Sequence, residues 1–170
     1  MTEVGLNLAV KVAFTAWLVA VSVWDRLQAR VPNYLVLPVM FGAMIWRLYA
    51  AVRMGAWGPL GFAAIAWVVL YALWLGNVFG GGDAKLLMAL FAAFPTIQFL
   101  VFFSIVVLLV SMPMLIIKYA KQGLRTSLQN TRRRLAEGRL LPTAEQLRSE
   151  GRPHCWSLAL PGVIYLWLAY

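Results

Sequence analysis

The chain contains only two aspartates, Asp25 and Asp83. Each lies where a long apolar run meets a polar segment, and carboxylates at the edge of hydrocarbon are costly unless they are hydrated, paired or used in chemistry. Two neighbouring carboxylates can share one proton, so that one activates water for attack on a peptide carbonyl while the other assists the leaving amine. The alternative is that each aspartate caps a helix or balances an arginine. Their positions alone leave both interpretations open.

Three consecutive glycines, Gly80, Gly81 and Gly82, stand immediately before Asp83, and Lys85 follows it. Glycine allows backbone conformations closed to other residues and close approach of another chain, so we expect an extended substrate strand to dock there. A flexible turn between two helices is the alternative. A phosphate-binding loop is not indicated, because the pattern GxxxxGK[ST] is absent.

A second polar segment begins at Asp25 and ends in Pro32 and Asn33. Proline followed by asparagine favours a turn that leads into a helix. A simple connector between two helices has the same appearance. This segment alone therefore does not indicate a catalytic site, and it does so only together with the glycine-rich segment.

Membrane helices must position these residues, because 62% of the 170 residues are hydrophobic and only 12% are charged. Several apolar runs approach or exceed the roughly 20 residues that cross a hydrocarbon core of about 30 Å. We predict an all-α, polytopic membrane protein that forms a single domain over residues 1–170, with about six transmembrane helices. The runs are 4–24, 34–52, 59–79, 84–94, 96–118 and 156–170, of which the fourth and sixth are short.

The distribution of basic residues predicts the orientation of these helices. Nine of the fifteen lysines and arginines lie in or at the edge of the polar segment 118–154, which the positive-inside rule places in the cytoplasm. Alternating crossings then put two predicted loops, residues 25–33 and 80–85, on the same side and both termini outside. We expect the basic loop 119–155 to contact anionic lipid headgroups rather than nucleic acid, with an amphipathic surface helix and a second short helix over 144–149.

The remaining distinctive residues indicate little further chemistry. Cys155 is the only cysteine, which excludes an intrachain disulfide, and redox chemistry is not expected. Its neighbour His154 is the only histidine, and two adjacent ligands are too few for a metal site. We therefore expect neither a metal nor another cofactor. The eight tryptophans are interpreted as anchors at the membrane interface.

Together, the two aspartate segments resemble the signature pair of the type IV prepilin peptidases and related GxGD aspartyl proteases. In that family the first aspartate closes an early helix and precedes Ile-Pro-Asn or a similar tripeptide, which here is residues 31–33. The second aspartate belongs to a GxGDxKL motif, and residues 80–86 match it at every defined position. The resemblance implies that Asp25 and Asp83 form a catalytic dyad at the cytoplasmic face. It also implies that Gly80 and Gly82 shape the turn and that Lys85 lies near the second carboxylate. The alternative for Lys85 is an anchor of the positive-inside kind at the end of a helix.

The resemblance further implies a substrate. It would be a type IV pilin-like precursor in the inner membrane, cut between a basic leader and an apolar helix. The larger bacterial members carry an insertion with paired CxxC motifs and also N-methylate their product. This sequence lacks such motifs, so it resembles the short, peptidase-only members that act on Flp (tight adherence) prepilins or archaeal preflagellins, and no methyltransferase activity is expected. Two alternatives are a non-catalytic, pilin-binding module of a pilus or type II secretion machine and an ion or proton pathway.

Overall fold

The computed structural model of the chain describes residues 3–28, 31–76, 80–122 and 155–169. Within these residues every regular element is an α-helix, which confirms the all-α prediction there. The helices are α1 (Glu3–Gln28), α2 (Asn33–Met54), α3 (Trp57–Leu75), α4 (Gly81–Ala93), α5 (Ile97–Gln122) and α6 (Cys155–Ala169). The surface helix and the short helix predicted within the basic loop lie outside the described residues.

Each predicted apolar run corresponds to one helix, but the helices include polar turns that hydropathy leaves out. Helix α1 continues through Asp25 to Gln28, and α4 begins at Gly81, three residues before the predicted run. The prediction of a loop over residues 80–85 was therefore wrong. Asp83 and Lys85 lie on the first turns of a helix, which fixes the directions in which their side chains extend.

Helix α4 is the central element of the fold. It packs against α2, α3 and α6, while α1 and α5 each pack against α6. Lipid tails give helices little hydrophobic reason to associate, so membrane interfaces favour small residues that let backbones approach closely. Ala84, Ala89 and Ala92 are buried along α4, and the larger Leu86 and Leu90 are fully enclosed.

Aromatic side chains close the end of the bundle where α4 finishes and α5 begins. The ring of Phe99 has its centroid 5.0 Å from those of Phe94 and Tyr165, and Phe91 lies 5.6 Å from Phe103. Tilted and edge-on ring pairs at such distances are favourable beyond the area that they bury. This aromatic cluster joins α4, α5 and α6.

Within the described part of the chain, three helices are long and apolar enough to cross a membrane, namely residues 8–28 of α1, all of α2 and all of α3. Large apolar side chains on the outside of the bundle, including Ile45, Ile65, Val68 and Leu109, are 65–69% exposed, which suits contact with lipid. Helix α4 has 13 residues and is therefore about 20 Å long, short of a hydrocarbon core of about 30 Å. The chain is a membrane protein, and the six predicted crossings stay a prediction.

At least two tryptophans hold helices together. The half-buried Trp17 donates its indole N–H to the carbonyl of Leu35 at 2.8 Å, and Trp67 donates to the carbonyl of Met88 at 2.9 Å. These bonds tie α1 to α2 and α3 to α4. A buried indole N–H needs an acceptor, and a helix carbonyl can accept a second hydrogen bond.

Candidate active site

Asp25 lies in the last turn of α1 and is only 7% exposed. Its Oδ2 accepts the backbone N–H of Cys155 over 3.1 Å. Cys155 is the first residue of α6, where backbone N–H groups have no partner within the helix. Asp25 therefore caps α6 from another helix, and its charge lies at the favourable positive end of that helix.

Asp83 lies in the first turn of α4 and is partly exposed. Its Oδ1 accepts a hydrogen bond from the thiol of Cys155, with 3.0 Å between Sγ and Oδ1. Cys155 therefore contacts both aspartates, through its backbone to one and through its side chain to the other. Two carboxylates that are distant in the sequence meet at one residue.

The glycines before Asp83 allow neighbouring side chains to come close to the backbone, and none of them needs an unusual backbone conformation. Gly80 has φ −62° and ψ 149°, an extended conformation open to any residue, and Gly81 and Gly82 are helical. The expectation of special backbone conformations was therefore wrong. A Cβ atom on Gly80 would lie 3.3 Å from Oδ2 of Asp83, so the missing side chain leaves room for the carboxylate.

The other two glycines bring neighbouring segments against the start of α4. A Cβ atom on Gly82 would lie 3.1 Å from Cγ2 of Val31, and one on Gly81 would lie 3.3 Å from Nε1 of Trp74. Val31 precedes α2, and Trp74 belongs to the last turn of α3. A side chain on Gly81 or Gly82 would therefore require Trp74 or Val31 to move by a few tenths of an ångström.

A hydrogen bond also joins the two motif segments directly. Pro32 immediately precedes α2, and its carbonyl accepts the N–H of Leu35 over 3.1 Å. Asn33 is the first residue of α2, and its Oδ1 accepts a bond of 2.7 Å from Nζ of Lys85. Lys85 thus connects the start of α4 to the start of α2, a contact that the sequence did not predict.

The ends of five helices meet around the two aspartates. They are the last turns of α1 and α3 and the first turns of α2, α4 and α6, linked by the contacts of Asp25, Trp74, Asn33, Asp83 and Cys155. Alternating crossings would bring these same ends to one side of a membrane. Among the described residues, no group of three or more His, Cys, Asp and Glu side chains is placed to hold a metal ion.

The contacts of Cys155 with both aspartates were not predicted from the sequence. One signal was available, because this cysteine immediately precedes the last apolar run, on the side of the membrane where both aspartates are predicted. The burial of Cys155 and its contacts with residues distant in the sequence could not be predicted from the sequence. The arrangement as a whole places two carboxylates at the partly exposed end of an apolar helix bundle, where both are hydrogen-bonded to the same residue.

The described residues form a helical membrane protein in which two carboxylates converge on one residue at one end of the bundle. Residues 12–117, more than half of the chain, match the model of the type IV leader peptidase family. The chain belongs to this family and is a membrane protease of the leader-peptidase kind. The matched residues include both aspartates and end before Cys155. No curated protein and no solved structure gives a significant match to the chain.

Proposed function

We propose that the protein is an aspartic endopeptidase that removes the basic leader peptide from type IV pilin-like precursors, with Asp25 and Asp83 activating the attacking water. The substrate class is that of the short family members, Flp prepilins or preflagellins. The observation that carries the proposal is the convergence of both carboxylates on Cys155. Membership of a leader-peptidase family supplies the reaction class.

The mechanism follows from two carboxylates that hold one proton between them. The ionised member takes a proton from water as the water attacks the scissile carbonyl, and the protonated member donates a hydrogen bond to the developing oxyanion. Proton transfer to the leaving nitrogen then completes the cleavage. Neither Asp25 nor Asp83 needs to form a covalent bond to the substrate, and no cofactor takes part.

The position of the site suits a substrate with one polar and one apolar part. We assign the aspartates to the cytoplasmic face of the inner membrane, with six crossings, both termini outside and one domain over residues 1–170. A prepilin carries its basic leader on that side and its apolar helix within the bilayer. Its cleavage point would then lie level with the helix ends that hold Asp25 and Asp83, next to the partly exposed start of α4.

The three helices long enough to cross a membrane support this placement, since alternating crossings bring the end of α1 to the same side as the start of α4. The exposed apolar exterior provides the contact with lipid. The basic loop 119–155 lies on the same side in this arrangement. Its charges would attract anionic headgroups rather than nucleic acid.

The test is co-expression of the protein with Flp prepilins and preflagellins in membranes, with the size of each precursor read on a gel and by mass spectrometry. Wild type is expected to trim the leader without adding a methyl group, whereas Asp25→Asn and Asp83→Asn are expected to leave the precursor intact. Thr15→Val is the matched control on α1, because it removes the bond of 3.1 Å from Trp167 but lies far from Asp25 along the helix.

Two results would overturn the proposal. Processing that survives either asparagine substitution would exclude the two-aspartate mechanism. If wild type binds prepilins but trims none of them, the protein is a non-catalytic assembly module of a pilus or type II secretion machine instead. Both results require that each variant is inserted in the membrane at the wild-type level.

A further inference from the structure

We propose that Cys155 is a positioning residue that sets the relative placement of Asp25 and Asp83. Its backbone N–H holds one oxygen of Asp25, and its thiol holds one oxygen of Asp83. This inference rests on the proposed function, since it describes how the pair of carboxylates is kept ready to act. Cys155 lies outside the residues that match the family model, so the inference depends on the contacts in this chain.

Covalent geometry limits the distance between the two atoms of Cys155 that bind the aspartates. The backbone nitrogen and Sγ of a cysteine stay about 3–4 Å apart in every rotamer. Two carboxylates that are each hydrogen-bonded to those atoms therefore cannot separate without breaking a bond. Residue 155 thus keeps Asp25 and Asp83 near a common point even though they come from different helices.

Burial strengthens the contact between Cys155 and Asp25 most. Cys155 is 1% exposed and Asp25 is 7% exposed, so water does not compete effectively for either partner, whereas the thiol contact reaches the partly exposed Asp83. A thiol is a weak donor, but a bond to a carboxylate is stronger than one to a neutral acceptor. A buried thiol also packs as a small apolar group. Cysteine therefore fits a site between two carboxylates and the apolar core.

The rest of α6 fixes the position of Cys155. Gly162 packs so tightly that a Cβ atom there would lie 2.6 Å from Cδ2 of Leu90 and 3.3 Å from Cδ1 of Leu18. Further along the helix, the hydroxyls of Tyr165 and Thr96 lie 3.3 Å apart. Helix α6 is therefore held against α1, α4 and the start of α5, and its first residue cannot shift alone.

The test measures kcat and KM for prepilin cleavage by the full chain in liposomes. Cys155→Ala removes the thiol bond and is expected to lower kcat about 10-fold with little change in KM, since it loses a hydrogen bond to a charged group. Cys155→Ser keeps a donor and is expected to stay within about threefold of wild type. Tyr165→Phe is the matched control, because it removes a hydroxyl contact at the other end of the same helix.

Cys155→Pro tests the backbone contact separately. Proline is tolerated at the first position of a helix but has no N–H, so this variant loses the bonds to both aspartates. We expect kcat to fall about 100-fold, further than in Cys155→Ala, because two bonds to charged groups are lost. A Cys155→Pro variant that is as active as Cys155→Ala would show that the bond to Asp25 does not position it.

The S–H stretching band in the infrared spectrum gives a readout that does not depend on activity. The chain has one cysteine, so any thiol band reports on Cys155 alone. We expect the band to lie at lower frequency in wild type than in Asp83→Ala, where the acceptor is absent. Equal frequencies would overturn the thiol contact whether or not the protein cleaves a prepilin.

The results separate this inference from the proposed function. If Asp83→Asn abolishes cleavage but Cys155→Ala cleaves like wild type, the positioning role is wrong and the peptidase mechanism stands. A serine variant as slow as the alanine variant, or a similar loss in Tyr165→Phe, would also overturn the positioning role. If Asp83→Asn still cleaves, the two-aspartate mechanism fails, and the infrared band still decides whether the thiol contacts Asp83.

Discussion

The two ends of α4 interact with opposite charges, a carboxylate at the start and a guanidinium of α2 at the end. At its start, Asp83 lies in the first turn, where the helix dipole favours a negative group. At its end, Arg47 of α2 donates to the carbonyls of Ala92, over 3.0 Å, and of Ala93. The dipole is complemented at both ends, and among the described residues the first end also shares Cys155 with a second carboxylate, Asp25. Arg47 therefore stabilises the end of α4, whereas the proposed function assigns the chemistry to Asp83 at its start.

Accessibility separates the two ends as well. The residues from Gly80 to Asp83 are all partly exposed, whereas Phe91 and Phe94 are buried in the aromatic cluster near the other end. A substrate can therefore approach the start of α4 but not its end. Substitutions at the two ends should differ in kind, with activity affected at the start and stability affected at the end.

Arg47→Met is expected to give the largest change in stability. It leaves the carbonyls of Ala92 and Ala93 without their charged donor inside the bundle, which we expect to cost about 3 kcal/mol of unfolding free energy. Thermal unfolding in detergent measures the loss, and cleavage per folded molecule should change little. Arg53→Met is the control, since Arg53 is exposed in the last turn of the same helix. Equal unfolding temperatures for the two variants would contradict the stabilising role.

Gly82→Ala is expected to lower kcat about 10-fold with a smaller loss of stability, because the new Cβ must displace a packed neighbour. That neighbour is Val31, whose Cγ2 would lie 3.1 Å away. Adding Val31→Ala should restore most of the rate in a prepilin cleavage assay. Gly61→Ala is the control, since a Cβ there meets nothing within 4 Å. An unchanged rate in Gly82→Ala would show that the contact between α4 and residue 31 does not support the site.

Lys85→Met is expected to have the smallest effect, a loss of rate of about threefold or less, because exposed charged contacts contribute little. The bond of 2.7 Å to Asn33 predicts that Asn33→Leu causes a similar loss and that the double variant is no worse than either single one. Cleavage rates of the four proteins measure this coupling. Losses that multiply in the double variant would mean that the two residues act separately.

Much of the helical architecture could be predicted from the sequence, because long apolar runs in lipid have few alternatives to helices. The positions of the helix ends were predicted less accurately. Asp25 and Gln28 extend α1 past its apolar run, and Gly81 starts α4 earlier than hydropathy indicated. Hydropathy indicates which residues can lie in the hydrocarbon core. It does not indicate how far a helix continues into a polar region.

The site was predictable only in part. The two aspartates stand out because carboxylates are rare in this chain, and their flanking motifs gave the family that the comparison then confirmed. The role of the glycines was misread, since whether glycine supplies an unusual φ angle or space for a neighbour depends on the fold. Cys155 was missed because its contacts with both aspartates arise only when α6 packs against α1 and α4.

The most direct test of the paired carboxylates is a cycle of single-turnover cleavage rates in liposomes for wild type, Asp25→Asn, Asp83→Asn and the double variant. Residues that act as one unit give losses that do not add in free energy. We predict that each single variant loses nearly all activity and that the double variant is no slower than either. A wild-type rate in one single variant, or losses that multiply in the double variant, would contradict the account of a shared-proton pair.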